Sequence, residues 1–99
     1  MNDLSNNQIR HLKSLAHDLK PVVIIGDKGL TKSVIDEIIN SIEIHELIKV
    51  KIRVDEREER LKMIENITKK TQSRKVQLVG HIVTLFKRNK DPQIAIPKK

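Results

Sequence analysis

The stretch Gly26-Asp27-Lys28-Gly29 has the most chemical content in this sequence. Two glycines let a backbone turn tightly and come close to a ligand, and a helix starting just after them aims its unpaired N–H groups at the same place. A phosphate suits such a loop. Lys28 inside it and Lys32 just beyond would supply positive charge, with Thr31 between them as a natural helix N-cap, whereas Asp27 must point away from any anion. Many β–α turns need glycine for geometry alone, so the meaning of G-x-x-G depends on its surroundings. Residues 26–33 also approach the P-loop pattern G-x-x-x-x-G-K-S, except that the second glycine is Thr31. That glycine is one whose backbone wraps the phosphates, and 99 residues leave little space for a base pocket and a magnesium-binding strand. Nucleotide hydrolysis is not expected.

Other chemistry is sparse. The histidines His11, His17, His45 and His81 are scattered, and His45-Glu46 continues as Leu47-Ile48-Lys49, without the second histidine of a zinc-binding H-E-x-x-H. His45 reads instead as a residue at a helix C-terminus, where positive charge is favourable. Cysteine is absent, which removes disulfides and thiolate metal sites and fits a reducing compartment. There is no G-x-S-x-G elbow and no isolated acid pair in an apolar setting. No metal, cofactor or catalytic residue is expected, and the chain is not expected to be an enzyme.

Charge points to a class of partner. Lys and Arg number 20 against 13 Asp and Glu, a net +7, and the two signs are segregated. Thr68 to Lys90 holds Lys69, Lys70, Arg74, Lys75, Lys87, Arg88 and Lys90 with no acid, while acids gather at Asp36-Glu37 and Asp55–Glu59. A segregated positive field attracts polyanions, and for nucleic acid the gain comes from releasing condensed counterions. Phe86 is the only aromatic residue, so a row of bases has no aromatic platform on which to stack. Binding directed at backbone or shape is what remains. Neither a membrane-spanning run nor a signal-peptide pattern is seen, and a cytoplasmic location is expected.

The elements that would position these residues follow from local pattern. Ser5-Asn6-Asn7-Gln8 has the form of a capping box, and Ile9, Leu12, Ala16 and Leu19 continue at helical spacing until Pro21. The other face of this helix carries Arg10, Lys13, His17 and Lys20. Val22–Ile25 reads as a short buried strand ending at Gly26. A second helix from Thr31 repeats Val34, Ile35, Ile38, Ile39 and Ile42 on one face, with Asp36-Glu37 near its positive end. From Leu47 to Val54, apolar Ile48, Val50, Ile52 and Val54 alternate with Lys49, Lys51 and Arg53, a strand with one cationic wet face. A third helix opens at Asp55-Glu56-Arg57-Glu58, with Leu61, Ile64 and Ile67 or Thr68 towards the core. Lys75–Val79 and His81–Lys87 read as two strands pivoting at Gly80. The tail from Asn89, with Pro92 and Pro97, is expected to be extended and partly mobile. The order α-β-α-β-α-β-β predicts a two-layer α/β domain with a four-stranded mixed sheet and three helices, in which crossovers give parallel neighbours and the Gly80 turn adds an antiparallel one. One domain over residues 1–99 is expected, with a core of roughly 5–90 and a tail at 91–99.

Several linked motifs together resemble a known family. Leu12-Lys13, Ala16-His17, Lys20-Pro21-Val22-Val23-Ile24-Ile25-Gly26 running into Gly29-Leu30-Thr31, and His45-Glu46-Leu47-Ile48-Lys49-Val50-Lys51 look like the CRM domain, more narrowly its stand-alone bacterial YhbY-type form. Leu78-Val79-Gly80-His81 and Leu85-Phe86-Lys87-Arg88 are similar to the family's closing strands. The resemblance implies a fold similar to the C-terminal domain of bacterial translation initiation factor three. It also implies RNA binding through the glycine loop and adjoining basic surface, and association with ribosomal RNA in precursors of the large subunit during ribosome assembly. Asp27 departs from the basic or small residues usual in such loops, which leaves Lys28 with most of the charge.

The resulting expectation is that the amides of the loop Gly26, Asp27, Lys28 and Gly29, together with the Lys28 side chain and with Thr31 beside them, hold one RNA phosphate. Arg10, Lys13, Lys20 and Lys32, and a second set at Lys49, Lys51, Arg53, Lys87 and Arg88, would track the backbone. The chain is expected to act as a monomer without cofactor or membrane. The rival reading is a basic protein-interaction module on the ribosome that does not itself recognise RNA.

Overall fold

The computed structural model describes residues 4–97. Helix α1 (Asn6–Ala16) begins as its capping box dictates: Ser5 Oγ accepts from the Gln8 amide at 3.2 Å and Gln8 Oε1 from the Ser5 amide at 2.9 Å. It ends at Ala16, a turn earlier than a stop at Pro21 would give, so Leu19 lies outside the helix and is exposed. Strand β1 (Pro21–Ile25) buries Val23 and Ile25 but exposes Val22 and Ile24, so it is covered on one face only, contrary to the fully buried strand its run of β-branched residues suggested. Thr31 caps α2 (Lys32–His45), its Oγ1 accepting from the Val34 amide at 3.1 Å. Asp36 and Glu37 fall beyond the first turn, which holds no acid.

Strand β2 (Leu47–Ile52) stops short of Val54 but keeps its alternation, with Ile48, Val50 and Ile52 buried and Lys49 and Lys51 half-buried between them. Helix α3 (Arg57–Thr71) carries Glu58 and Glu59 in its first turn and Lys69 and Lys70 in its last, both favourable to its dipole. Strands β3 (Arg74–Val79) and β4 (Ile82–Phe86) turn at Gly80, whose φ of 59° is cheap only for glycine.

The sheet order is β1-β2-β4-β3. The α2 crossover makes β1 and β2 parallel neighbours, as expected. The α3 crossover does not set β3 beside β2, because β4 returns between them, antiparallel to both. Burial explains the order: Val83, Thr84, Leu85 and Phe86 are all buried, which requires a central strand, whereas β3 exposes Lys75 and Val79 and suits an edge.

Alternation along the strands sorts the core into two clusters on opposite faces. On the first face Val23, Ile25, Ile48, Val50, Ile52, Val83 and Leu85 pack under Ile38 and Ile42 of α2 and Ile64 and Ile67 of α3. Each such side chain, fully buried, contributes about 1.5–3 kcal/mol. This is the helix layer on sheet that the sequence pattern predicts. Helix α1 adds a partial cover on the second face, where Leu12 and Ala16 pack on Leu47, Val76 and Phe86.

The described residues of the tail beyond β4 form neither helix nor strand and are tied down by contacts. Ile94 and Ile96 pack against the α1 cluster, His11 Nε2 lies 2.8 Å from Ala95 O, and Gln8 Nε2 donates to Pro97 O at 2.8 Å.

Candidate nucleic-acid interface

The glycine loop is a closed turn at the end of β1. The Gly29 amide donates to Gly26 O at 3.0 Å and the Thr31 amide to Gly29 O at 3.1 Å, so the chain doubles back twice before α2 starts. Gly29 has φ of 70°, which explains glycine there. Gly26 is different: its φ is not positive, and a Cβ built on it meets nothing within 4 Å. Neither backbone strain nor crowding explains glycine at 26, and the space above it is open. The side chains of Asp27, Lys28, Lys32 and Ser33 are exposed around the turn. The amides of Lys32 and Ser33, at the first two positions of α2, have no intrahelical acceptor, and with no acid in that turn the positive end of α2 stays uncompensated by its own side chains.

The cations named from the sequence do not form one patch. At the loop end of the sheet, the Arg53 amide donates to Ile25 O at 2.9 Å, which sets exposed Arg53 beside Gly26, and Lys51 is the register partner of Ile24. Lys87 and Arg88 lie at the opposite end: Phe86 pairs with Leu47, and the Lys87 amide donates to Glu46 O at 2.9 Å. From Arg53 back to Leu47 is about 20 Å along β2. Arg74 and Lys75 start β3 at this far end too, opposite Phe86 and Leu85. Helix α1 packs on Leu47 and Phe86, so exposed Arg10 and Lys13 belong to the far half, as does Lys20 just before Pro21. Lys49 lies between the two ends, level with Thr84. The acid-free run from 68 to 90 therefore charges mainly the end away from the loop. Asp55 lies at the loop end, 3.8 Å from the His81 ring.

The family model described as the CRS1/YhbY (CRM) domain matches residues 4–87. The chain belongs to the CRM-domain family. It is 42% identical to an RNA-binding protein of Haemophilus influenzae over the full length of both chains. It is 34% identical to "Probable RNA-binding protein YqeI" of Bacillus subtilis, over 95% of this chain and 99% of that one. The solution structure of SAV1595 from Staphylococcus aureus superposes with a TM-score of 0.83 at 29% identity, covering 96% of this chain and all of the other.

Two residues that shape this CRM domain do not stand out in the sequence pattern. Arg60 is buried on α3, its Nη1 donating to Val54 O at 2.7 Å and Asp55 O at 2.6 Å and lying 3.4 Å from His81 Nε2. It pins the segment after Arg53 to the β3–β4 turn. The signal was present, since the buried stripe runs Arg60, Ile64, Ile67, Thr71 in helical steps, whereas half-exposed Leu61 lies off it.

Glu46 is the second. It is wholly buried, and its carboxylate accepts from the amides of Asn89 at 2.8 Å, Gln93 at 2.6 Å and Ile94 at 2.8 Å. Burial alone would raise its pKa, but these three bonds, with the charge of Arg88, outweigh that and hold the carboxyl below its usual value. Its backbone sits at φ 62°, ψ −38°, a strained conformation for a residue with a side chain, costing about 1–3 kcal/mol. The His45-Glu46 pair thus ends α2 and fastens the tail. Among the described residues no group of three or more His, Cys, Asp or Glu is placed to hold a metal ion, and no helix is long and apolar enough to cross a membrane.

Proposed function

We propose that this CRM domain, acting as one unit over the whole chain, binds RNA by its phosphate backbone and serves as an assembly factor on ribosomal RNA of large-subunit precursors. The observation that carries the reading is the open glycine loop. Gly26 has no structural reason to be glycine, faces free space, and leads into a helix N-terminus without acids. The Haemophilus influenzae relative, named an RNA-binding protein, aligns over its full length and supports the same ligand. In this reading Gly26, Asp27 and Lys28 offer amides to one phosphate, Gly29, whose own amide is held by Gly26 O, shapes the turn, and Thr31 shapes the helix start, with Lys28, Lys32 and Arg53 neutralising the phosphate. Lys51 and Lys49 carry the strand along β2 towards Lys20, Lys87 and Arg88, with Arg10 and Lys13 on the α1 side. The roughly 20 Å between the two ends requires several successive phosphates rather than one anion. The domain works without catalysis, in the cytoplasm and as a monomer.

Sedimentation of cell lysates tests this reading. The protein is expected to travel with large-subunit precursors and to be released by nuclease. Co-sedimentation that survives complete digestion of the RNA would favour the rival, a protein-interaction module on the ribosome.

A further inference from the structure

Apart from Lys51, the uncovered half of the second sheet face has no role in gripping phosphate. Ile24, Lys51, Ile82 and Val79 stand in one row across all four strands, each the register partner of the next. Their sequence neighbours Val23, Ile25, Val50, Ile52 and Val83 belong to the main core, with Leu78 packed against it, so the row points away from α2 and α3. Helix α1 covers only the far end of this face, leaving Ile24 53% and Val79 65% exposed. Large aliphatic side chains on an open sheet of a highly charged protein mark a contact surface.

The surroundings indicate what covers it. Ile24 runs directly into the glycine loop, Lys51 interrupts the row, and Arg53 follows two residues beyond Lys51 beside Gly26. A ligand for this surface needs an anionic backbone and flat apolar faces within a few ångströms of each other. Unpaired nucleotides offer both, whereas a duplex keeps its base faces inside the stack and presents phosphate and sugar. Phe86 is 2% exposed under α1, so aromatic stacking is unavailable and aliphatic contact takes its place.

We propose that the Ile24–Lys51–Ile82–Val79 row is a platform for the bases of single-stranded RNA whose backbone is held by the glycine loop and Arg53. This rests on the RNA-binding reading above and narrows its ligand to unpaired RNA. The exclusion of stacking by the lack of aromatics then applies to rings only, since bases also lie on aliphatic surface.

Fluorescence anisotropy with three probes tests it: a single strand of about ten nucleotides, the same sequence as a duplex, and an abasic ribose-phosphate strand of equal length. The intact protein is expected to bind the single strand about tenfold tighter than either other probe. The double variant Ile24→Thr/Val79→Thr keeps β-branched side chains at exposed sites. It is expected to lose that tenfold while binding the abasic strand as the parent does. Parent protein that prefers duplex, or a folded variant that binds the single strand unchanged, overturns the platform and leaves the loop reading standing. Failure of the parent to bind any of the three probes overturns both. Unchanged RNA binding with a shift in oligomeric state on light scattering would make the row a contact between copies and overturn the proposal.

Discussion

Gly26→Ala separates what the fold needs from what the ligand needs. Position 26 lacks a positive φ and its Cβ would touch nothing within 4 Å, so alanine enters without strain or clash. Its main effect on the fold is on the unfolded chain, which loses conformational freedom, and the folded state gains about 0.4–1 kcal/mol. For a domain of this length that raises Tm by roughly 2–6 °C. The same methyl group occupies the space through which a phosphate would reach the loop amides. Losing one hydrogen bond to a charged phosphate costs about 1.5 kcal/mol or more, a drop in RNA affinity of roughly tenfold. Thermal unfolding and anisotropy titration on one preparation read both effects. A variant with higher Tm and unchanged RNA affinity would refute backbone contact at the loop. One with lower Tm would refute the reading of its backbone.

Gly29→Asp acts at φ 70°, where aspartate is among the better tolerated replacements, so circular dichroism should show the fold retained at a cost of about 1 kcal/mol. RNA affinity should fall more than for Gly26→Ala, because the new side chain sets a negative charge beside the phosphate. Glu46→Ala leaves three part-buried amides without their acceptor and is expected to destabilise by about 2–4 kcal/mol in urea unfolding. Glu46 also sets a pH dependence. Its folded pKa lies below its ordinary value of 4.5, so its stabilisation is complete above that pH and is lost as pH falls through the lowered value. Glu46→Gln should flatten that acid limb.

What could be read from the sequence was local. The Ser5–Gln8 capping box, the Thr31 cap, the Gly80 turn and the alternation of β2 each depend on residues a few positions apart, and all are found where the pattern places them. The place of β4 between β2 and β3 depends on burial of both its faces, which no local pattern encodes. Arg60 falls on the core stripe of α3, but a charged residue there reads as a surface position until its carbonyl partners are seen. Glu46 reads locally only as a fragment of a metal motif, since its partners come from the tail, over forty residues away. The loop itself was legible as a glycine turn before a capped helix. The separation of the basic residues into two ends was not, because Lys87 and Arg88 leave β4 at the end opposite to the loop.

The most direct measurement is the salt dependence of RNA affinity. With about six phosphates neutralised between the loop and the far end of β2, a plot of log affinity against log salt concentration should have a slope of roughly −4 to −5. Replacing Lys28 and Lys32 by alanine should make that slope shallower by about 1–2. A flat plot, or a slope that the two replacements leave unchanged, would contradict a phosphate grip centred on the glycine loop.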